Sequence, residues 1–326
     1  MPLKTLFVPG PYDALSSRLK GALGPDANLS SLDYWTPSDK ASQIAGRSDV
    51  LVLGPGAEAA SELASADSGI RLVQFTGCHQ PYEDVGTLQA DGLTVTNAGP
   101  ALAPFVAENT MELIDAALKS AGNSTPSNDL VVGIVGLGNV GIEVARRVHK
   151  MGARIVYHDI RTVQQGFAAE VGARRQSLDR VLLDSDVITV HVSDTPHTPE
   201  MIGDREFKLL KPGAVLVNSS LSSALDEDAL IAALASGKVG AAALGVITPF
   251  PDNHQNPLLE HPSVVTDLDL ATEREVALKA IAALVADNIK RFEVGEQPVG
   301  LIETIGFPGV GDPAFWSSHL APRQTD

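Results

Sequence analysis

Gly136, Gly138 and Gly141 stand in GxGxxG spacing within "VVGIVGLGNVGIEVARRVHKMGARIVYHDIR", with Asn139 and Val140 between the last two. That spacing suits the binding of a pyrophosphate by backbone. The first glycine permits a tight turn, the second lets main chain approach the phosphates, and the third lets a helix pack closely on a strand. A helix beginning there offers unpaired N–H groups and the positive end of its dipole. Asp159 follows 18 residues after Gly141, at the end of a second apolar run, where a carboxylate can accept hydrogen bonds from a ribose. Glycines that serve packing alone leave Asp159 unexplained, so a bound dinucleotide is expected. Asp159 would repel a 2′-phosphate, which favours NAD over NADP. Ile160 and Arg161 complete the adenosine side, and Arg161 is the one residue that argues for NADP.

A second group of reactive types lies in "FTGCHQPYED", where Gly77 precedes Cys78 and His79. An imidazole titrates near neutrality, so His79 is the first candidate for an acid or base. A space-filling histidine with local hydrogen bonds is the alternative. Cys78 is the chain's one cysteine, so neither an internal disulfide nor a multi-cysteine metal site can form. With nothing nearby to depress its pKa, it reads as a small packed residue rather than a nucleophile. His191 ends an apolar run and reads as structural or cofactor-adjacent. His197, His254, His261 and His319 fall in loops. Asp267 and Asp269 offer a base or, more simply, a cap for the helix that follows. No His/Asp/Glu grouping has metal-ligand spacing, and no metal is expected.

These residues need a scaffold of strands and helices to bring them together, and the hydrophobic pattern supplies one. Short apolar runs, "KTLFVPG", "DVLVLGPG", "IRLVQFTG" and "GLTVTN", alternate with polar or amphipathic stretches. "APFVAENTMELIDAALKS" then carries Phe105, Val106, Met111, Leu113, Ile114 and Leu118 at helical spacing. After the breaker "AGNSTPSN" a second series follows: "LVVGIVG", "ARIVYHD", "DVITVHV", "GAVLVNSS", "VGAAALGV" and "SVVTDLD". Near-continuous apolar runs of this kind fit parallel strands covered on both faces by helices. A long helix is expected from Thr272, and the last 20 or so residues are turn-rich.

Composition limits the partners. The 326 residues are 44% hydrophobic and 20% charged, a globular profile with room for two domains. A net charge of -16 repels phosphate backbones and anionic lipid, so neither nucleic acid nor a membrane surface is an expected partner. The amino-terminal apolar run is too short for a signal peptide, and one cysteine fits a reducing compartment, so a cytoplasmic protein is expected.

Several segments, in order, resemble the D-isomer-specific 2-hydroxyacid dehydrogenase family across most of residues 50 to 300. "VTNAGPALAPFVAENTMELIDAAL" carries Asn97, Gly99 and Val106 to Glu108. "DVITVHVSDTPHTPEMIG" carries His191, Val192, Thr195, Thr198 and Ile202. "LKPGAVLVNSS" with "LDEDALIAAL" carries Asn218 and Ser219. The resemblance implies an NAD-binding Rossmann domain inserted in a flavodoxin-like substrate domain, with dimers formed through the NAD domains. The boundaries expected are 1–98 plus 288–326 for the substrate domain and 99–287 for the NAD-binding domain.

The resemblance also implies an arginine that grips a substrate carboxylate, a histidine that moves the proton and a glutamate that tunes the histidine. None carries over. Leu221 stands at the arginine position. In "LGVITPFP", Gly245 replaces the aspartate of the family's "LDVFxxEP", and Phe250 replaces its glutamate. The histidine should lie in "VVTDLDLATE", where only Leu268 or a neighbour is available. A more apolar pocket of Gly77, Cys78, Leu221 and Phe250 is therefore expected, because an unpaired buried carboxylate is costly. The leading expectation is an NAD-dependent oxidoreductase with a diverged, more apolar or aromatic small-molecule substrate. The alternatives are an enzyme that recycles tightly bound NAD within one turnover, for elimination, isomerisation or C–C cleavage, and a silent NAD-binding sensor or scaffold.

Overall fold

The computed structural model describes residues 2–10, 14–33, 36, 38–54, 57, 60–78, 80, 82–122, 129–161, 166–245, 256–266 and 275–302. They divide into two compact units, one within Met1–Phe105 and Ala271–Ile305, the other within Val106–Leu270.

In the first unit the strands are β1 (Thr5–Val8), β2 (Leu29–Ser31), β3 (Val50–Leu53), β4 (Leu72–Phe75) and β5 (Thr94–Thr96). The helices between them are α1 (Ser16–Leu23), α2 (Ser38–Ala45), α3 (Ala60–Leu63) and α4 (Tyr82–Ala90). The strands pair in the order β2-β1-β3-β4-β5, all parallel, which is the flavodoxin-like order. Every residue of β3 and β4 is buried, because successive side chains enter opposite cores. Leu51, Leu53, Val73 and Phe75 meet Ala45, Val85 and Leu88 on one face. On the other, Phe7, Val50, Val52 and Leu72 meet Leu19 of α1 and the apolar stripe of α11 (Glu275–Glu293).

α5 (Gly99–Ser120) carries the chain to the second unit. Its strands are β6 (Val131–Val135), β7 (Arg154–His158), β8 (Arg174–Arg175), β9 (Val187–Val190), β10 (Ala214–Asn218), β11 (Val239–Leu244) and β12 (Val264–Thr266). The helices there are α6 (Asn139–Lys150), α7 (Phe167–Glu170), α8 (Leu178–Asp184), α9 (Asp204–Leu209) and α10 (Glu227–Ala235). The parallel sheet runs β12-β11-β10-β9-β6-β7-β8, so its order reverses between β6 and β9. This is the doubly wound dinucleotide-binding arrangement with one strand added. Alternation again builds two cores: Val135, Ile188 and Leu216 face α8, α9 and α10, while Ile134, Val187 and Val217 face α5 and α6.

Each sheet gains one edge strand that hydrophobic runs do not reveal. β2 and β8 are short and largely exposed, so neither carries an apolar signature. The division also shifts from the expected boundaries. It falls between Phe105 and Val106, inside α5, and the described chain is back in the first unit at Glu275. Residue 287 lies within α11, which belongs entirely to the first unit because Ala277, Ile281, Val285 and Ile289 pack into the Phe7 and Leu19 cluster. Among the described residues no helix is long and apolar enough to cross a membrane.

Candidate functional site

The glycine loop leaves β6 at the point where the strand order reverses. Gly136 has φ +90° and donates its N–H to the His158 carbonyl. A Cβ there would lie 2.5 Å from the His191 carbonyl oxygen, so the exits of β6 and β9 abut. A Cβ at Gly141 would collide with the Gly136 carbonyl, which sets how closely α6 approaches the loop. Gly138 differs: a Cβ there would meet nothing within 4 Å, and the residue is exposed. Its backbone faces open space at the start of α6, where no side chain caps the helix. The first N–H groups, at Asn139, Val140 and Gly141, are therefore oriented to bind an anion.

Asp159 holds this loop in place. Its Oδ2 accepts the Leu137 N–H at 2.6 Å and its Oδ1 accepts the Arg161 N–H at 2.6 Å. A carboxylate has about four acceptor sites, so two remain for ribose hydroxyls. Arg175 Nη2 donates to the Asp159 carbonyl at 2.7 Å, so a strand missed in the sequence braces the ribose-side turn. Ile160 is half-buried and Arg161 exposed. An open glycine, an uncapped helix and a carboxylate with spare lone pairs fit a dinucleotide. Bound there, NAD supplies a hydride acceptor, and these backbone groups hold its pyrophosphate and ribose.

On the other side of the reversal, β9 and β10 end in a polar chain. Thr110 Oγ1 on α5 donates to the Val106 carbonyl at 2.7 Å and lies 2.9 Å from Ser219 Oγ. Ser219 Oγ is 3.3 Å from His191 Nδ1, and His191 Nε2 is 2.8 Å from Thr189 Oγ1. Each hydroxyl has one proton, which fixes the direction. Thr110 gives its proton to Val106, so Ser219 donates to Thr110. His191 then donates from Nδ1 to Ser219, and Thr189 donates to Nε2. The histidine is thus a neutral Nδ1–H tautomer, and burial pushes its pKa down to about 3. Val192 packs against the second unit's apolar core, while the Thr195 N–H bonds to Thr198 Oγ1 and braces the next turn.

Asn218, fully buried, shapes the exit of β10. Its Nδ2 donates to the Leu221 carbonyl at 2.8 Å, and its Oδ1 accepts from the Ser220 N–H and hydroxyl. Leu221 is thereby held in extended backbone, half-buried against the second unit's apolar core. Gly245, bonded through its N–H to the Asn218 carbonyl, has a negative φ, and a Cβ there would come no closer than 3.4 Å to the side chain of Leu113. Among the described residues, neither backbone nor packing demands glycine at that position.

In the first unit Gly77 and Cys78 follow β4. Cys78 is half-buried against the Phe7 and Leu19 cluster, and burial pushes its thiol up to about 11. It is a packed, protonated thiol. His79, Phe250 and residues 267–274 lie outside the described residues. Among the described residues no group of His, Cys, Asp or Glu can hold a metal ion. Sequence reasoning missed Thr110, whose partner Ser219 is far away along the chain, and Thr189, whose partner His191 lies two residues on; both are fully buried polar residues.

Residues 109–267 match the family described as D-isomer specific 2-hydroxyacid dehydrogenase, NAD binding domain. A D-3-phosphoglycerate dehydrogenase of Archaeoglobus fulgidus is 28% identical over 76% of this chain and 50% of its own length. A glyoxylate reductase of Aeropyrum pernix is 34% identical over 52% of this chain and 51% of its own. The chain thus spans about half the length of these curated relatives. The crystal structure of a glyoxylate reductase from Paecilomyes thermophila superposes with a TM-score of 0.76 at 24% identity, covering 93% of this chain and 99% of that one. Residues 109–267, just under half of the chain, are thus similar to the NAD-binding domain of the D-isomer specific 2-hydroxyacid dehydrogenase family.

Proposed function

We propose that the chain is an NAD-dependent oxidoreductase acting on an alcohol/carbonyl pair whose substrate is more apolar or aromatic than a small 2-hydroxy acid. The observation that carries this reading is Leu221. It lies three residues beyond β10, where the family resemblance implies a carboxylate-gripping arginine, and it packs half-buried against apolar core. A carboxylate set beside it would lose hydration without gaining a partner. Gly245 supports the same reading, since it stands where the family resemblance implies an aspartate and a Cβ there meets only ordinary contacts among the described residues. Names of relatives such as D-3-phosphoglycerate dehydrogenase and glyoxylate reductase support the reaction class.

Oxidation of the alcohol sends hydride from carbon to a bound nicotinamide and leaves the hydroxyl proton to a base. His79 is the candidate for that proton. His191 is not, because its Nε2 lone pair is occupied by Thr189 and its ring titrates far below neutrality. The test follows nicotinamide reduction with the full chain, NAD and a panel of apolar and aromatic alcohols beside small 2-hydroxy acids. The uncharged compounds are expected to win by roughly tenfold or more in kcat/KM, a difference of about 1.4 kcal/mol. His79→Ala is expected to lower kcat by about 100-fold or more while NAD affinity stays unchanged. Preference for 2-hydroxy acids would overturn the substrate assignment. NAD binding without turnover of any compound would instead support a cofactor-sensing module. The single cysteine and the family resemblance support a cytoplasmic homodimer, which sedimentation of the purified chain checks.

A further inference from the structure

The first residues beyond β9, β10 and β11 are His191, Ser219 and Gly245. All three are half-buried, whereas Val190, Asn218 and Leu244 just before them are buried. They stand at the carboxyl edge of three adjacent parallel strands, across the reversal of strand order from Asp159. In such a sheet each half of a dinucleotide lies outside the strand ends on one side of the reversal. Asp159 serves the ribose of the adenosine half, which leaves these three ends for the nicotinamide half. β10 is two strand spacings from β6, about 10 Å along the edge, within the span of a ribose and a pyridine ring.

Of these three residues one offers a side-chain acceptor. His191 has none left, because its Nδ1 carries the proton given to Ser219 and its Nε2 accepts from Thr189. Gly245 has no side chain, and a Cβ built there would come within 3.6 Å of Ser219 Cα, so glycine withholds a side chain from that flank of Ser219. Asn218 is fully buried and its Oδ1 already accepts twice from Ser220. Ser219 Oγ gives its one proton to Thr110 and accepts one from His191, and a hydroxyl oxygen has two lone pairs. One lone pair remains, and no proton. Ser219 is therefore a fixed acceptor, which pairs with a donor and repels another acceptor.

The carboxamide of a nicotinamide carries two N–H donors. On the basis that the glycine loop holds NAD, we propose that Ser219 accepts one of these N–H groups and makes the site selective for the amide. Thr110 and His191 are positioning residues, because they act on the cofactor only through the direction of the Ser219 proton. Thr110 is fully buried, so it takes that proton without touching the ligand.

Calorimetric titration of the full chain tests this with NAD, 3-acetylpyridine adenine dinucleotide, nicotinic acid adenine dinucleotide and ADP-ribose as probes. The acetylpyridine compound matches NAD in charge and nearly in shape but has a methyl group in place of the amino group. It is expected to bind roughly fivefold or more weakly than NAD. The nicotinic acid compound presents a carboxylate to the acceptor and is expected to bind more weakly still. Ser219→Ala is expected to bring NAD to within about twofold of the acetylpyridine compound. Thr110→Val, a variant of nearly the same shape, removes the acceptor of the Ser219 proton and frees the hydroxyl to donate. It is expected to improve the nicotinic acid compound relative to NAD by roughly fivefold, whereas a role in packing alone would move both together. This variant also provides a readout if Ser219→Ala fails to fold. Equal binding of NAD and the acetylpyridine compound, or a preference that survives Ser219→Ala, would overturn the proposal while leaving the NAD site in place. Failure of ADP-ribose and NAD alike to bind would overturn the NAD reading itself, and the role of Ser219 with it.

Discussion

Gly136, Gly138, Gly141 and Gly245 are the same residue under four different constraints, and substitutions should separate them. Gly136→Ala puts a side chain at φ +90° and against the His191 carbonyl, so a loss of about 2–4 kcal/mol is expected in urea unfolding. Gly138→Ala has open space and should cost only a few tenths of a kcal/mol, yet NAD titration should show weakened binding because the new methyl occupies the phosphate approach. Gly245→Ala should change stability by no more than about 0.5 kcal/mol in urea unfolding, because a Cβ there meets only ordinary van der Waals contacts. His191 carries a pH prediction. Its pKa is about 3 in the folded chain and near 6.5 when unfolded, so the unfolded state binds the extra proton. Stability from this residue is complete above pH 6.5 and is lost as pH falls toward 3, at up to about 1.4 kcal/mol per pH unit. His191→Asn should flatten that part of the denaturation profile. From sequence His191 reads as structural or cofactor-adjacent, and its tautomer depends on Ser219 and Thr110, far away along the chain.

α11 shows what an element's composition conveys and what its environment adds. Its long apolar stripe reads plainly as a helix, but the sequence does not tell which unit it covers. Asn288, fully buried on that helix, answers part of the question. Its Nδ2 donates to Gln74 Oε1 on β4 at 2.7 Å and to the Val299 carbonyl at 2.8 Å, and its Oδ1 accepts the Val299 N–H at 2.7 Å. Asn288→Leu leaves both Val299 backbone groups unpaired, and a loss of at least about 2 kcal/mol is expected from chemical denaturation. The buried strands β3, β6, β9 and β10 were legible because apolar residues facing two cores form unbroken runs. β2 and β8 were not, because an exposed edge strand is defined by its hydrogen-bonded neighbour rather than by its own side chains.

At the scale of the molecule, two parallel sheets of different strand order share one chain, and the second carries the dinucleotide site. NAD at a hundredfold excess over its Kd should stabilise the second unit by about 2.7 kcal/mol. Hydrogen exchange should show the protection around residues 136–142, 159–161 and 191–195, and protection absent from these segments would contradict the site. The sequence by itself determined the α/β class and the glycine loop with its distant aspartate, and it set Leu221 where the family resemblance implies an arginine. Those features are written in local spacing and alternation, which a chain displays without folding. Only the tertiary structure decided that Asp159 clamps the loop through Leu137 and that Thr110, Ser219 and His191 form one directed chain. Such contacts join residues from separate strands and helices, and hydrophobic period carries no record of which polar groups meet once the sheets have formed.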